Sequence, residues 1–215
     1  MPQMSSVDSN LNAWERDYSI RGRLWGGGVR GIPHLSDGTS VLELGCGDGK
    51  TLAGMPCSWK IAALDVSPQA LRLTRRMLPD IRLILADAAL LPFREESFDA
   101  VFAFHVTGHL RLQGREALAR EVARVLVPGG KLFFRDFGTE DMRMGQGEAV
   151  EESTYLRGAG ILTHYFTEVE AELLFCDLLP ISVGTHRWKL RVKGKEMARA
   201  EVEAVFQKDR SHEVL

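Results

Sequence analysis

Short apolar runs recur along the first two thirds of the chain, and each is followed by polar or glycine-rich sequence. They cover residues 39–44, 60–64, 81–85, 100–104 and 131–137. Runs without polar alternation are typical of strands that are buried on both faces of a parallel sheet. A helix predicted over 113–127 carries Leu118, Val122 and Val125 on one face, as expected for a helix that packs on such a sheet. The pattern therefore predicts a doubly wound α/β fold.

The last third of the chain departs from this alternation. Residues 181–188 and 200–207 predict two strands that close a mostly parallel seven-stranded sheet as an antiparallel hairpin. Before them, residues 139–165 interrupt the repeat of strands and helices, and we expect this insertion to build the substrate pocket. Thr167 and Glu170 have the spacing of a capping box and predict the start of a helix.

Residues 1–35 form a lead-in that contains Trp14, Tyr18 and Trp25, the last followed by three glycines. Aromatic side chains next to glycines suit a segment that packs over a ligand and moves, which makes Trp25 a candidate ligand contact. The alternative is that Trp14 and Trp25 only anchor an N-terminal helix. At 215 residues and 45% hydrophobic composition, residues 1–215 are expected to form a single domain.

The most specific local feature is a glycine-rich loop directly after the first apolar run. Gly45, Gly47 and Gly49 alternate there, with Cys46 between the first two. Glycine permits backbone angles that other residues avoid and lets a ligand approach the main chain. The spacing differs from the G-x-G-x-x-G of dinucleotide sites, and Glu43 at the strand end favours a ligand with a cationic, amino-acid-like part. Alone, such a loop is equally compatible with a tight turn.

Acidic residues follow the next two strands at the same predicted edge of the sheet. Asp65 ends the second strand, at the distance from the glycine loop where an acid binds ribose hydroxyls. Ser67 and Pro68 then start a helix as N-cap and first helical residue. Asp87, with Ala88, follows the third strand. Three acids around one crevice indicate a nucleotide-like cofactor.

The loops after the fourth and fifth strands border the same crevice and supply candidate catalytic residues. His105 follows Phe104 and could accept a proton from an acceptor group, or it could bind backbone or pack against the cofactor. Arg135 and Asp136 end the fifth strand, where they face either the substrate or each other as an ion pair.

Composition narrows the class of protein further. Cys46, Cys57 and Cys176 have neither paired spacing nor nearby histidine ligands, so we predict no metal site and no disulfide. The chain shows no export signal and no membrane-spanning run, and a cytoplasmic protein without membrane contact is expected.

Charge bears on whether the partner is a nucleic acid. The formal net charge of −2 does not favour one. A stripe of alternate cations is the exception, formed by Arg187, Lys189, Arg191, Lys193 and Lys195. An extended hairpin would place all five on one side, where they could bind tRNA phosphates. The alternative is that they only protect an exposed sheet edge from aggregation.

Taken together, the motifs resemble those of the class I methyltransferases that use S-adenosylmethionine. The matching segments are residues 42–49, 64–67, 86–88 with 91–93, 97–101 and 126–132. The resemblance implies that Gly45 and Gly47 approach the methionine part, Asp65 holds the ribose, and Asp87 with Ala88 meets the adenine. The neighbouring cofactor contacts expected on this basis are Glu43, Cys46, Val66, Phe104 and His105.

The second half of the chain resembles a narrower family, the tRNA 3-methylcytidine methyltransferases. The matching residues are 135–138, 155–158 with Gly160, 165–167, 174–175 and 205–208. The resemblance implies that Arg135, Asp136, Arg157 and Tyr165 lie near the target base, and Tyr165 joins His105, Arg135 and Asp136 as a catalytic candidate. The chain departs from the family at 159–162, where an Asp-Gly-Thr-Arg run is usual.

Three functions remain open from the sequence. The first is methyl transfer to a tRNA cytidine, with RNA contacts supplied by the cationic stripe or by a protein partner. The second is methyl transfer to the nitrogen or oxygen of a small metabolite. The third is a regulatory or non-catalytic partner subunit that binds S-adenosylmethionine.

Overall fold

The computed structural model describes residues 6–22, 29–158, 160–192 and 194–210. The helices are α1 (Ser6–Arg21), α2 (Pro68–Met77), α3 (Leu112–Val125) and α4 (Glu168–Leu174), with short 3-10 helices at Leu52–Gly54 and Thr107–His109. The strands are β1 (Ser40–Leu44), β2 (Lys60–Asp65), β3 (Arg82–Leu85), β4 (Phe98–Phe104), β5 (Leu126–Phe137), β6 (Glu148–Glu151), β7 (Thr154–Arg157), β8 (Ile161–His164), β9 (Leu179–Val192) and β10 (Lys195–Gln207).

Seven strands form the main sheet in the order β3-β2-β1-β4-β5-β10-β9. The first five pair in parallel, and β10 runs antiparallel to both β5 and β9. The predicted mostly parallel seven-stranded sheet with an antiparallel C-terminal hairpin is confirmed. Because β1 lies beside both β2 and β4, the crevice at the carboxyl ends of these strands is the topological switch point of the sheet.

Both faces of the sheet are buried, as the unbroken apolar runs predicted. Leu42, Leu44 and Phe134 belong to the core on the face that α3 and α4 cover. Val41 and Phe102 belong to the opposite core. Between β1 and β2 this second face has only the 3-10 turn at Leu52–Gly54 instead of an α-helix, since Gly54 and the nearby proline at position 56 both disfavour helix.

Two helix starts follow the predicted capping chemistry. The Ser67 side chain accepts a hydrogen bond from the Ala70 amide, and the Thr167 side chain accepts one from the Glu170 amide. The Glu170 carboxylate, however, lies 2.7 Å from Nε2 of His164. Only the first half of the capping box, from Thr167 to the Glu170 amide, is therefore formed, and the Glu170 side chain lies beside His164 of the insertion.

The insertion at 139–165 contains a three-stranded antiparallel sheet, β6-β7-β8, that the apolar pattern did not predict. Its strands are four residues long, and β6 carries Glu148 and Glu151, so it lacks a continuous apolar run. The C-terminal hairpin is longer than predicted for a related reason, because its outer part at Arg187–Arg191 is polar and solvent-exposed on one face.

Among the helices of the described ranges, none combines the length and apolar character needed to cross a bilayer.

Candidate cofactor cleft and acceptor site

A cleft opens at the carboxyl ends of β1, β2 and β4, where the topology predicts a ligand site. Its lining comes from α1, the glycine loop, the ends of β2 and β3, and the segment after β4: Trp14, Tyr18, Gly45, Leu64, Asp65, Val66, Ala86, Asp87, Ala88, His105, Val106, His109 and Leu110. Six of the predicted cofactor contacts therefore lie together in one cleft.

The glycine loop needs its glycines for contacts within the protein as well as for backbone angles. Gly45 and Gly47 have φ values of +64° and +55°. A Cβ on Gly45 would lie 2.7 Å from Cγ2 of Val106, and one on Gly47 would lie 2.5 Å from the hydroxyl oxygen of Tyr18. Side chains from α1 and from the segment after β4 thus pack directly on the loop main chain.

Asp65 fixes this loop to β2. One carboxylate oxygen accepts a hydrogen bond from the Gly47 amide at 2.8 Å, and the other accepts one from the Ser67 amide at 2.9 Å. Burial nevertheless raises the pKa of Asp65 above its usual value, although these backbone hydrogen bonds oppose the change. Each carboxylate oxygen has a second lone pair, so Asp65 can still accept hydrogen bonds from a diol while it holds the loop.

Glu43 lies at the end of β1, directly before the loop, and is 2% exposed. Its Oε2 atom is buried and has no hydrogen-bond partner among the described residues. Burial raises its pKa to about 8, the Thr51 side chain lowers it through a hydrogen bond, and Asp65 and Asp48 raise it. A buried carboxyl group with an unused oxygen is suited to a cationic ligand group.

Cys46 is the buried residue between the two glycines, and its amide donates to the Leu64 carbonyl. Burial raises the pKa of its thiol well above the usual value. A neutral, buried thiol is a packing element rather than a nucleophile.

The N-terminal helix narrows the cleft. Trp14 and Tyr18 of α1 both line it, and the Trp14 ring meets His109 edge to face with 4.7 Å between centroids. His109 Nδ1 in turn lies 2.6 Å from the Leu162 carbonyl of β8, and this contact holds the insertion beside the cleft. The cleft volume in this arrangement is about 90 Å³. Trp25, the aromatic residue predicted to contact the ligand, lies outside the described residues.

His105 stands at the inner end of the cleft in a left-handed backbone conformation, with φ at +55°. Its Nε2 lies 3.3 Å from Oε1 of Glu201 and its Nδ1 lies 3.9 Å from Oδ1 of Asp136. The imidazole also packs on Phe137, with 4.6 Å between ring centroids. Non-glycine residues in this conformation cost energy unless surrounding contacts hold them, and here two carboxylates and an aromatic ring do so.

Asp136 supports this arrangement from within the protein. Its side chain is fully buried and accepts hydrogen bonds from the amides of Gly108 and Phe137. Gly108 is needed for this contact, because a Cβ there would lie 2.8 Å from the Asp136 carboxylate. Asp136 thus positions the segment after β4 and has no exposed atom with which to touch an acceptor.

Glu201 on β10 was not among the predicted site residues. Its Oε1 meets His105, while its Oε2 lies 2.9 Å from a guanidinium nitrogen of Arg30. A hydrogen bond from His105 lowers the pKa of Glu201 although burial opposes the change. A signal was available, because acids at 201 and 203 alternate with apolar Val202 and Ala204 inside a predicted strand and so had to face something polar.

Two predicted site residues face the other side of the sheet. Phe104 and Arg135 are paired across β4 and β5, and the Arg135 guanidinium lies 4.4 Å from the centre of the Phe104 ring. Both line a second cavity, away from the predicted cofactor contacts. The reason is the alternation of side chains along a strand, since the neighbouring residues Ala103 and Asp136 point to the opposite side of the sheet. Arg135 pairs with Glu203 at 3.1 Å and forms no ion pair with Asp136.

The position of Tyr165 also differs from the one that its predicted catalytic role implies. The side chain is fully buried at the end of the insertion, and its hydroxyl oxygen accepts a hydrogen bond of 3.2 Å from Arg157. Burial raises its pKa. In this arrangement Tyr165 supports Arg157 and Phe137, whose ring centroid is 6.3 Å away, and does not reach an acceptor itself.

The cationic stripe does not form as predicted. Arg187, Lys189 and Arg191 share one face of β9, but Lys195 pairs with Val192 and therefore lies on the other face. The chain reverses between the end of β9 at Val192 and the start of β10 at Lys195, and this reversal breaks the alternation. Lys193 lies outside the described residues. Two of the three cations on the shared face are already paired, because Arg187 Nε lies 2.7 Å from Glu140 and Lys189 lies 2.7 Å from Glu196.

In fold and in the arrangement of the cleft, the chain is similar to class I methyltransferases, whose cofactor is S-adenosylmethionine. Residues 42–134 match the family described as Methyltransferase domain. The region covers the glycine loop, Asp65, Asp87 and most of the strands β1 to β5, and it contains every residue that lines the cleft except Trp14 and Tyr18 of α1.

Similar proteins fall into more than one substrate class. A tRNA N(3)-methylcytidine methyltransferase of Drosophila melanogaster is 31% identical over 61% of this chain and 45% of its own length. A 2-methyl-6-phytyl-1,4-hydroquinone methyltransferase of Synechocystis is 32% identical over 55% of this chain and 37% of its own. The chain thus spans less than half the length of these relatives. A solved SAM-dependent methyltransferase of Methanosarcina mazei shares the fold, with a TM-score of 0.68 and 22% identity over 82% of this chain and 95% of that one.

Proposed function

We propose that the protein transfers the methyl group of S-adenosylmethionine to an acceptor bound beside His105, and that the acceptor is a cytidine of tRNA. The observation that carries the cofactor assignment is the buried carboxyl group of Glu43 beside the Gly45–Gly47 loop, because its Oε2 atom has no hydrogen-bond partner among the described residues. S-adenosylmethionine supplies an electrophilic methyl group on a sulfonium. Its amino-acid part carries the cationic group that Glu43 suits, and Asp65 has lone pairs left for a ribose diol.

The other cleft residues complete this binding site by their chemistry. Asp87 and Ala88 offer a carboxylate and a main chain to an adenine, and Val66 offers an apolar side chain. Trp14 and Tyr18 cover the cleft from α1 and exclude water from it. The cleft volume of about 90 Å³ is below the range of about 300–1,000 Å³ usual for ligand pockets. We therefore infer that α1 moves outward when the cofactor enters.

The acid-lined end of the cleft suits a ring nitrogen as the acceptor. Methylation of N3 of cytosine uses a lone pair that is already free of a proton, and the product ring carries a positive charge. Glu201 and Asp136 place two carboxylates around His105, so the local potential favours a developing cation. The resemblance at Arg135–Gly138 and Tyr155–Gly158, together with the Drosophila relative, supports cytidine as that acceptor.

A small-molecule acceptor is the second candidate, and a specific observation favours it. The hairpin cations that would bind phosphates are split between two faces and partly paired, so the predicted electrostatic footprint of RNA is weak. For a hydroxyl acceptor such as a hydroquinone, His105 would take the proton at Nε2 in place of its contact with Glu201. The Synechocystis relative belongs to this substrate class.

The first experiment combines cofactor binding with product identification. The purified protein is incubated with methyl-labelled S-adenosylmethionine and unmodified tRNA, and the digested RNA is analysed for labelled nucleosides. We expect label in 3-methylcytidine. Cofactor affinity is measured by calorimetry for the wild type, for Asp87→Ala in the cleft and for Asp80→Ala as a matched exposed control. Loss of affinity in Asp87→Ala alone supports the cofactor site.

The possible results separate the two proposals. If Asp87→Ala binds S-adenosylmethionine as the wild type does, the cofactor site is wrong. If binding is intact but no tRNA nucleoside is labelled, the tRNA acceptor is wrong and hydroxyl-bearing aromatic metabolites become the next substrates to test.

A further inference from the structure

The second cavity lies on the face of the sheet opposite α3, over β4, β5, β10 and β9. Its volume is about 450 Å³, several times that of the cofactor cleft. The walls include Phe104, Arg135, Glu203 and His186, with Ser182 in the floor. Neither the cofactor nor the reacting group of the acceptor needs this space, so it requires a separate explanation.

One straight row of residues crosses four strands beneath the cavity. Phe104 pairs with Arg135, Arg135 with Glu203, and Glu203 with Gly184. Gly184 has no left-handed φ, and a Cβ built on it meets no atom of the described residues within 4 Å. Neither the backbone nor the packing therefore requires glycine at this position. Its effect is to leave the end of the row open, where any other residue would fill the cavity floor.

The two sides of the cavity are flat, stacked groups. On one side the guanidinium of Arg135 covers the Phe104 ring, with 4.4 Å to its centre. On the other side the exposed imidazole of His186 stacks on Trp188, with 5.3 Å between centroids and 29° between planes. These sides are two strands apart, or about 10 Å at a strand spacing of about 4.8 Å. That separation accommodates a planar ring between them.

The polar groups around the cavity limit which ligands can bind, and their charges nearly cancel. Glu203 is partly exposed, with 37% of its side chain accessible, and can accept hydrogen bonds from an amine. Ser182 can donate to a carbonyl oxygen. The cations Arg30 and Arg135 are each within ion-pair distance of both Glu201 and Glu203, so two positive charges meet two negative ones. The cavity thus favours a neutral, flat ligand with an amine over a phosphate.

We propose that this cavity is a subsite for a nucleobase, taken from an unpaired nucleotide next to the one that is methylated. Bases that leave the stack are held in proteins by aromatic rings and guanidinium planes and by hydrogen bonds at their edges. Glu203 selects bases that carry an exocyclic amine, as carboxylates do for cytosine. Glu201 connects the subsite to the reaction centre, since it contacts Arg30 at the rim of the cavity and His105 in the cofactor cleft.

This inference rests on an RNA acceptor, and it is tested by binding rather than by turnover. The probe is a fluorescein-labelled hexamer of cytidine, with hexamers of adenosine and uridine for comparison. Binding is measured by fluorescence anisotropy for the wild type, for Gly184→Leu and for Arg191→Leu. The last variant adds the same side chain on the opposite face of the same strand. Gly184→Leu fills the cavity without a backbone clash, and thermal unfolding verifies that it folds.

We expect Gly184→Leu to weaken binding of the cytidine hexamer about tenfold or more, since stacking of one base is lost. Arg191→Leu should leave the affinity unchanged. The salt dependence of the residual binding should not change in Gly184→Leu, because the cavity holds no phosphate. The cytidine and adenosine hexamers should bind more tightly than the uridine hexamer, and Glu203→Gln should reduce that difference.

Two results would overturn the subsite. One is that no hexamer binds to the wild type, and the other is that Gly184→Leu binds all three as the wild type does. Labelling of tRNA by the wild type is measured separately. If the wild type methylates tRNA but Gly184→Leu does not change hexamer binding, the proposed function stands and only the subsite is wrong.

Discussion

At the scale of single residues, the fold strongly changes the pKa of Glu43. Burial raises its pKa to about 8 against the Thr51 hydrogen bond, with Asp65 and Asp48 adding to the rise. A carboxyl group with a raised pKa in the folded state binds its proton more tightly there than in the unfolded chain. Its contribution to stability is therefore full below pH 4.5 and is lost as the pH rises towards 8.

We predict that Glu43→Gln removes this pH dependence. Between pH 4.5 and 8, the free energy of unfolding of the wild type should fall relative to that of the variant. The relative change should be on the order of 1–4 kcal/mol, since one pKa unit is worth about 1.4 kcal/mol. Urea unfolding monitored by circular dichroism at several pH values measures the difference. Parallel curves for the two proteins would contradict the assignment, because Asp65 and Asp48 are present in both.

Glu201 shows what residue-scale reasoning from the sequence could not supply. His105 was identified as a catalytic candidate from its place after the fourth strand, but its partner lies 96 positions later on β10. Only the antiparallel register of β10 against β5 brings Glu201 opposite Phe137 and next to the imidazole. The acids at 43, 65 and 87 were predictable because each lies at or just beyond the carboxyl end of its own strand, and these ends meet at one edge of a parallel sheet.

At the scale of elements, α1 is the part of the described chain that we propose moves when the cofactor enters. Tyr18 occupies the space above Gly47, and Trp14 closes the cleft against His109. Each of these contacts involves a single side chain of α1 that packs on a segment at the edge of the sheet. An outward shift of α1 is thus a local opening that leaves the main core intact.

We predict that Tyr18→Ala speeds the binding of S-adenosylmethionine while weakening its affinity. In the wild type the observed rate should level off at high cofactor concentration, because opening of α1 precedes binding. In the variant the rate should rise with concentration over a wider range. Stopped-flow measurement of tryptophan fluorescence tests this, with Ile20→Ala on the exposed side of the same helix as the control. A linear and identical dependence in all three proteins would exclude gating by α1.

The hairpin illustrates where sequence patterns fail at this scale. Alternation correctly placed Arg187, Lys189 and Arg191 on one face, but it could not locate the turn that puts Lys195 on the other. The insertion strands β6 to β8 were not predicted for another reason, since each has only four residues and none forms an unbroken apolar run. The five parallel strands succeeded because burial on both faces leaves an unbroken apolar signal.

At the scale of the whole molecule, charge sets how an RNA could be held. The formal net charge is −2, and the cations on the shared face of the hairpin are paired with Glu140 and Glu196 in two of three cases. An RNA acceptor would then be bound by stacking and edge contacts more than by release of counterions.

We predict a shallow salt dependence for RNA binding. The slope of log affinity against log salt concentration should be no steeper than about −2, which corresponds to about three phosphates of a single strand at 0.7 each. Arg191→Glu should leave both slope and affinity close to the wild-type values. Filter binding of tRNA at a series of salt concentrations provides the measurement. A steep slope that Arg191→Glu reduces would restore the cationic stripe as the binding surface.

The row Phe104–Arg135–Glu203–Gly184 has a consequence for how such a protein can change through evolution. Loss or gain of one residue within β10 would shift the register by one position and turn the side chains of the shifted part of the strand to the opposite face. Glu203 would leave the second cavity and Glu201 would leave His105 in the same event. A change in the length of β10 would therefore disrupt two separate contacts at once. The turn that joins β10 to β9 can lengthen without this effect, as long as the register of the two strands is preserved.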